Sequence, residues 1–298
     1  MVMKPLKVIA IGEIVWDVLP AGKQLGGAPL NFAFFAKELG AEAYAISAIG
    51  CDALGDETLE AASQTDVCLD YVQRNALPTS RVLVTLDERG IPQYEIVEGV
   101  AWDAIECPDN AIALMHDAAV VCWGSLAQRN ATSRTSIARM LAAAPREAIK
   151  VFDINIRQHY YCREVIEESL GLANILKLNE DELPLVALIL GLEGDTRQQI
   201  DTLLERYSLR YVIYTHGADF SEVYGTQGDY SHIATPQVTV ADTVGAGDSF
   251  TAVFVTSLLQ GLSVAEAHAL AVEVAAYVCT QAGAINPLPQ AITEQLRQ

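Results

Sequence analysis

Positive charge is scarce in this chain. Its 298 residues carry 19 Lys and Arg against 38 Asp and Glu, a formal charge of -19. A surface of that sign argues against nucleic acid and anionic membrane as partners. It also makes any anionic ligand a local problem, because amides, a metal ion or a few cations must overcome the global field. The basic residues are scattered and form no run. Cysteine is equally unpatterned. Cys51, Cys68, Cys107, Cys122, Cys162 and Cys279 form no CxxC pair, and no His/Cys cluster has zinc-ligand spacing. Several sit in apolar runs, so all six read as reduced core thiols of a cytoplasmic protein. There is no internal repeat and no low-complexity tract. The glycines of a Walker A loop or a dinucleotide fingerprint are missing. One Lys and then a strand pattern open the chain, so no signal peptide is expected. The apolar segment Val264 to Ala282 is interrupted by Glu266, His268 and Glu273, which makes it a buried helix and not a membrane span.

What is present is apolar substance: 51% of residues are hydrophobic, enough for a sizeable core and too many for disorder. Lys7 to Ile11 is a β-branched apolar run ending at Gly12, the pattern of a buried strand. Ala43–Ile49, Ala119–Trp123, Lys150–Ile154, Ile175–Leu178 and Tyr211–Tyr214 read alike. Helices fit residues 56–63, 132–144, 162–170, 198–207, 248–260 and 264–282, and a further one runs from Pro29 to Gly40. This alternation predicts an α/β fold, a doubly wound, mostly parallel sheet with helices on both faces. Arg81–Leu86 and Gln93–Val97 instead alternate as a half-exposed hairpin around Asp87–Gly90. With part of residues 13–24, the region 78–103 is expected to form a small inserted sheet, a lid on a single domain spanning 1–298.

In such a fold ligands bind beyond the carboxyl ends of the strands, and several polar residues fall there. The stretch Asp242–Phe254, DTVGAGDSFTAVF, reads as a glycine turn opening a helix. The amides of Gly245, Ala246 and Gly247 can hold an anion. Asp248 beside them would repel a bound anion, unless it takes a proton from a hydroxyl while the amides stabilise charge on a transferred group. An ordinary turn with a solvated Asp cap is the alternative. Asp17, Gly27 and Asn31 come from the first strand–helix unit. Asp17 can accept sugar hydroxyls and Asn31 can donate and accept; a turn residue and a polar helix position are the plain readings. Asp153, Asn155 and Arg157 share one side if the backbone stays extended, with Arg157 suited to a phosphate or to a salt-bridged edge. Asn179 and Glu182 can hold the water shell of Mg²⁺, or begin a solvated acidic helix. Thr215 and Gly217 end a strand where a base or phosphate can approach, and His216 reads as a packed strand-end residue. Together these point to phosphoryl transfer to an alcohol.

Gly26-Gly27-Ala-Pro-Leu-Asn31 and Asp242-Thr-Val-Gly-Ala-Gly-Asp248-Ser-Phe resemble the two signatures of the ribokinase-like (PfkB) carbohydrate kinases, with Asn179-x-x-Glu182 matching the motif between them. The resemblance covers essentially the whole chain. It implies an ATP-dependent sugar kinase in which Asp248 is the base and Gly245, Ala246 and Gly247 form the anion hole. Asp17, Gly27, Asn31 and Arg157 then serve the sugar, and Asn179, Thr215 and Gly217 the nucleotide. Glu182 serves Mg²⁺ through water. It further implies a monovalent cation, K⁺, on backbone near Asp242, Val244 and Gly283, and a homodimer clasped through the lid. GGAPLN, Asp153-Ile-Asn155-Ile-Arg157 and TLDERG are most similar to fructokinases. Ribose, 2-keto-3-deoxygluconate and nucleoside kinases, and a non-catalytic sugar-binding regulator, are the alternatives. Val253 stands where the family has Ala or Gly, and a larger side chain there is expected to crowd helix packing or the nucleotide pocket.

Overall fold

A computed structural model of the chain describes residues 6–19, 22–86, 92–226 and 228–295. Strand β1 (Lys7–Ile11) sets the layering. Val8 and Ala10 enter one apolar cluster and Ile9 and Ile11 the other, so both faces of the strand are buried. After it come β2 (Val15–Leu19), β3 (Gly22–Gly26), helix α1 (Ala28–Glu38), β4 (Glu42–Gly50), α2 (Ala53–Ala62), β5 (Val72–Asn75), β6 (Arg81–Leu86) and β7 (Pro92–Ile96). Strand and helix then alternate through α3 (Asp109–Met115), β8 (Val120–Trp123), α4 (Ala131–Ala143), β9 (Ile149–Asp153), α5 (Arg163–Leu172) and β10 (Ile175–Asn179). Helices α6 (Glu182–Leu190) and α7 (Thr196–Arg206) lead to β11 (Tyr211–His216), β12 (Phe220–Gly225) and β13 (Tyr230–Ala234). Three helices close the chain: α8 (Ala246–Leu259), α9 (Val264–Cys279) and α10 (Gln290–Gln295).

Nine strands form one sheet in the order β13-β12-β11-β10-β9-β8-β1-β4-β5, parallel from β11 to β5. Helices α1, α8 and α9 cover one face and α3 to α7 the other, the doubly wound arrangement expected. The antiparallel edge β12–β13 was not anticipated. It is tied by a polar knot: Tyr224 and Tyr230 both donate to Glu222 at 2.6 Å, so it lacks the apolar run that marks a buried strand.

The second sheet, β3-β2-β6-β7, draws two strands and not one from the segment after β1. The turn Asp87–Gly90 lies outside the described residues. This sheet is rooted in the body at several points. Thr79 donates its amide and hydroxyl to Asp52 at 2.8 and 2.6 Å. The Trp16 indole of β2 donates to the Thr58 hydroxyl on α2 at 2.8 Å. Arg129 grips Asp103 through two hydrogen bonds of 2.7 and 2.9 Å and donates to the Val97 carbonyl, while Tyr160 donates to that of Ile96. The Arg129 guanidinium lies between the rings of Trp102 and Tyr160.

The cysteines are all free, but they are not all core thiols. Cys122 is buried, whereas Cys51 and Cys162 are exposed, because Cys51 follows a strand end and Cys162 is the cap of α5. Val253 is fully buried in the cluster that joins α1, α8 and α9. Five residues beyond Asp248 on a helix, it points well away from the first turn.

Candidate active site

The carboxyl ends of β1, β8, β9, β10 and β11 meet the first turns of α1 and α8 along one edge of the large sheet. Gly27 caps α1 at φ +113°, and a Cβ there would stand 2.4 Å from the Glu13 carbonyl oxygen, so only glycine fits. Asn31 follows on the first turn, 2% exposed, and donates from Nδ2 to Oδ2 of Asp248 at 2.7 Å. Its Oδ1 is buried without a protein partner. The two ends of the chain thereby converge on one carboxylate.

Asp248 lies in the first turn of α8, whose cap is Gly245 at φ +82°; a Cβ on Gly245 would meet that of Ala284 at 2.7 Å. The solvated-cap reading fails. Burial pushes the Asp248 carboxyl up to about 6, with Asp153 acting in the same direction and the Asn31 hydrogen bond, Lys177 and Arg157 opposing. Of the three expected cradle amides, that of Ala246 donates to the Thr243 carbonyl at 3.3 Å. The other first-turn amides have no acceptor within the helix. An acid poised near neutrality beside free amides can take a proton and stabilise developing negative charge.

Two charged residues at this edge escaped the sequence reading. Lys177 is 8% exposed, with Nζ 3.2 Å from Oδ1 of Asp153 and 3.1 Å from where a Cβ of Gly247 would be. Asp153 is held in turn by the Thr251 hydroxyl at 3.1 Å. Glu13, 4% exposed, follows β1, and burial pushes its carboxyl up to about 7. A single charge inside Ile-Leu-Lys-Leu, and a carboxylate directly after a buried strand, were the signals available.

The remaining expected residues gather less tightly. Asp17 is half-buried on β2, its carboxyl raised by burial and by Asp242 and lowered by Arg157. Arg157 is exposed and pairs with no carboxylate among the described residues, so it is not a salt-bridged edge; its charge acts on Glu13, Asp17 and Asp248. The alternation of Asp153, Asn155 and Arg157 breaks, because Asn155 adopts φ +44°. Asn179 and Glu182 bind each other's backbone: Asn179 Oδ1 accepts from the Glu182 amide and Glu182 Oε2 from the Asn179 amide, both at 2.9 Å. Glu182 Oε1 accepts from the Ile156 amide at 2.8 Å, and the residue is 3% exposed, so α6 does not start as a solvated acidic turn there. Thr215 pairs with Asn179 across β10 and β11, and Gly217 sits near Glu180. His216 stacks on Phe220. Asp242 accepts from the amides of Thr243, Val244 and Gly283.

A cavity of about 490 Å³, lined in part by Asp103, Arg129, Arg134 and Tyr160, shares no residue with this edge. Its cations are already paired, Arg129 with Asp103 and Arg134 with Glu168.

The model of the pfkB family carbohydrate kinases matches residues 12–291. The chain belongs to this family. A pfkB carbohydrate kinase is a phosphotransferase with an alcohol group as acceptor. The fructokinases of Klebsiella pneumoniae and Escherichia coli are each 30% identical to this pfkB chain, over 95% of it and 96% of themselves. In fold it resembles a fructokinase with bound ATP from Xylella fastidiosa, with TM-score 0.85, 22% identity and 97% of each chain covered. It also resembles a putative ribokinase II in complex with ATP and Mg²⁺ from E. coli, with TM-score 0.82 and 19% identity over 98% and 99% of the two chains. Among the described residues no helix of this pfkB protein is long and apolar enough to cross a membrane, and no group of three or more His, Cys, Asp or Glu is placed to hold a metal ion.

Proposed function

We propose that this carbohydrate kinase transfers the γ-phosphoryl group of ATP to a hydroxyl of fructose in the cytoplasm. The reading of the acceptor is supported by the two fructokinases at 30% identity. The observation that carries the mechanism is Asp248, half-buried at the start of α8 and gripped by Asn31. Asp248 takes the proton of the acceptor hydroxyl as that oxygen bonds to phosphorus and ADP leaves with the electrons of the broken bond. First-turn amides of α8 stabilise charge on the transferred group. Asp17, Gly27, Asn31 and Arg157 orient the sugar. Thr215, Gly217 and Asn179 border the nucleotide.

Glu182 suits a hydrated Mg²⁺. Each of its oxygens already accepts a backbone amide, which leaves lone pairs to orient a metal-bound water and little freedom to coordinate directly. The metal would neutralise phosphate charge. The backbone of Asp242, Val244 and Gly283 is the place for K⁺, where Asp242 already organises the loop. The small sheet serves as the lid over the sugar.

The test is ADP release with MgATP and a panel of fructose, ribose, 2-keto-3-deoxygluconate, adenosine and inosine, with and without K⁺. Turnover that depends on fructose supports the reading. A different acceptor replaces the substrate, and silence across the panel makes the protein a binding regulator.

A further inference from the structure

We propose that Lys177 is a positioning residue for this transfer: clamped by Asp153 beneath Gly247, it is the fixed cation that keeps Asp248 ionised and its turn in place. The inference rests on Asp248 being the base. In a chain of charge -19, one buried lysine at this edge needs a reason. The geometry supplies it. The ammonium is faced by three carboxylates from three elements, Asp153 on β9, Glu182 on α6 and Asp248 on α8. Asp153 fixes it at 3.2 Å and is itself fixed by Thr251, one turn beyond Gly247 on α8. The Gly247 carbonyl lies 2.9 Å from the same hydroxyl, whose one proton is shared between it and Asp153. The chain Gly247–Thr251–Asp153–Lys177 thus returns to Gly247, whose missing side chain leaves the room Nζ occupies. The countercharge favours ionisation of all three carboxylates.

The other charges facing Asp248 are Glu13 after β1 and Arg157 after β9; Asn31 on α1 donates to it, and the Cys122 thiol on β8 lies near both Asp153 and Asp248. Lys177 and Asp153 therefore act on Asp248 with opposite sign against a background that does not change between variants.

The experiment compares Lys177→Met, Asp153→Asn and the double variant in the full-length enzyme, by pH profile of kcat and by thermal unfolding. Loss of the cation moves the ascending limb of the wild-type profile up by about one pH unit in Lys177→Met. Loss of the anion moves it down in Asp153→Asn. The double variant regains much of the stability lost by Lys177→Met, because neither partner of the Lys177–Asp153 pair is left without the other, and because the two charges act on Asp248 with opposite sign its limb falls back below that of Lys177→Met. Carboxyl ¹³C NMR titration of Asp248 reads the same shifts without turnover. It covers the case of a wild type inactive on every sugar, which would remove the functional reading and still decide this one. A limb and titration unmoved in all variants, or moved the same way in both single variants, overturns the proposal and leaves Lys177 a structural ion pair. If Lys177→Met does not fold, Asp153→Asn and the double variant carry the same decision.

Discussion

Replacing Asp248 by Asn should abolish catalysis and make the protein more stable. The Asp248 carboxyl moves from 3.8 to about 6 on folding. Roughly two units at about 1.36 kcal/mol each place the cost of ionising it in the fold at up to about 3 kcal/mol. Asp248 keeps a partly accessible face, so about 1–3 kcal/mol is the expected range. The sign follows from the raised value. The native state holds this proton more tightly than the unfolded chain, so the favourable contribution is full below pH 3.8 and is lost as pH rises through about 6. The amide introduced by Asp248→Asn never ionises, and its oxygen can still accept from Asn31. Glu13 adds to the gain, since it no longer faces a negative charge when it ionises. Urea unfolding of both proteins at about pH 8 and about pH 4 measures the difference, expected to be large at the first and to close at the second. The same variant should lose at least ~100-fold in kcat. Equal or lower stability of Asp248→Asn at the higher pH, or a gap that does not depend on pH, refutes the account of the site as a strained carboxylate.

Other outcomes follow from residues on the page. Arg129→Met leaves Asp103 buried and unpaired, which should cost about 3–5 kcal/mol in chemical denaturation; adding Asp103→Leu should recover most of it. Gly27→Ala forces a Cβ into the Glu13 carbonyl at φ +113°. It should destabilise by about 1–3 kcal/mol and raise the KM for the sugar, whereas Gly40→Ala, at φ +88° with nothing within 4 Å, should lower stability and leave KM alone.

What could be read along the chain was whatever depends on neighbours in sequence. Strands buried on both faces announce themselves as unbroken apolar runs, which is why six of the large sheet's parallel strands were foreseeable, while the edge strand β5, only partly buried, was missed. Gly245 and Asp248 were legible because a turn and the helix it opens lie within a few residues. Lys177 and Glu13 were not, because each matters through partners on other elements: Lys177 through Asp153 and Gly247, Glu13 through Asp248 and Arg157. The expectation for Asn155 failed because one residue at positive φ breaks an alternation that spacing alone assumes. For Glu182 the motif was visible, while its burial and its grip on the Ile156 amide needed the fold.

The roots of the small sheet have a mechanical meaning. Thr79 is fixed before β6 by Asp52, Trp16 on β2 by Thr58, and Ile96 and Val97 at the end of β7 by Tyr160 and Arg129. A plate pinned along one border cannot slide away from its support or lift off it. The freedom left to it is rotation about that border, opposed by the Lys23–Glu57 ion pair between β3 and α2, and the Asp52 and Arg129 contacts would be its pivots.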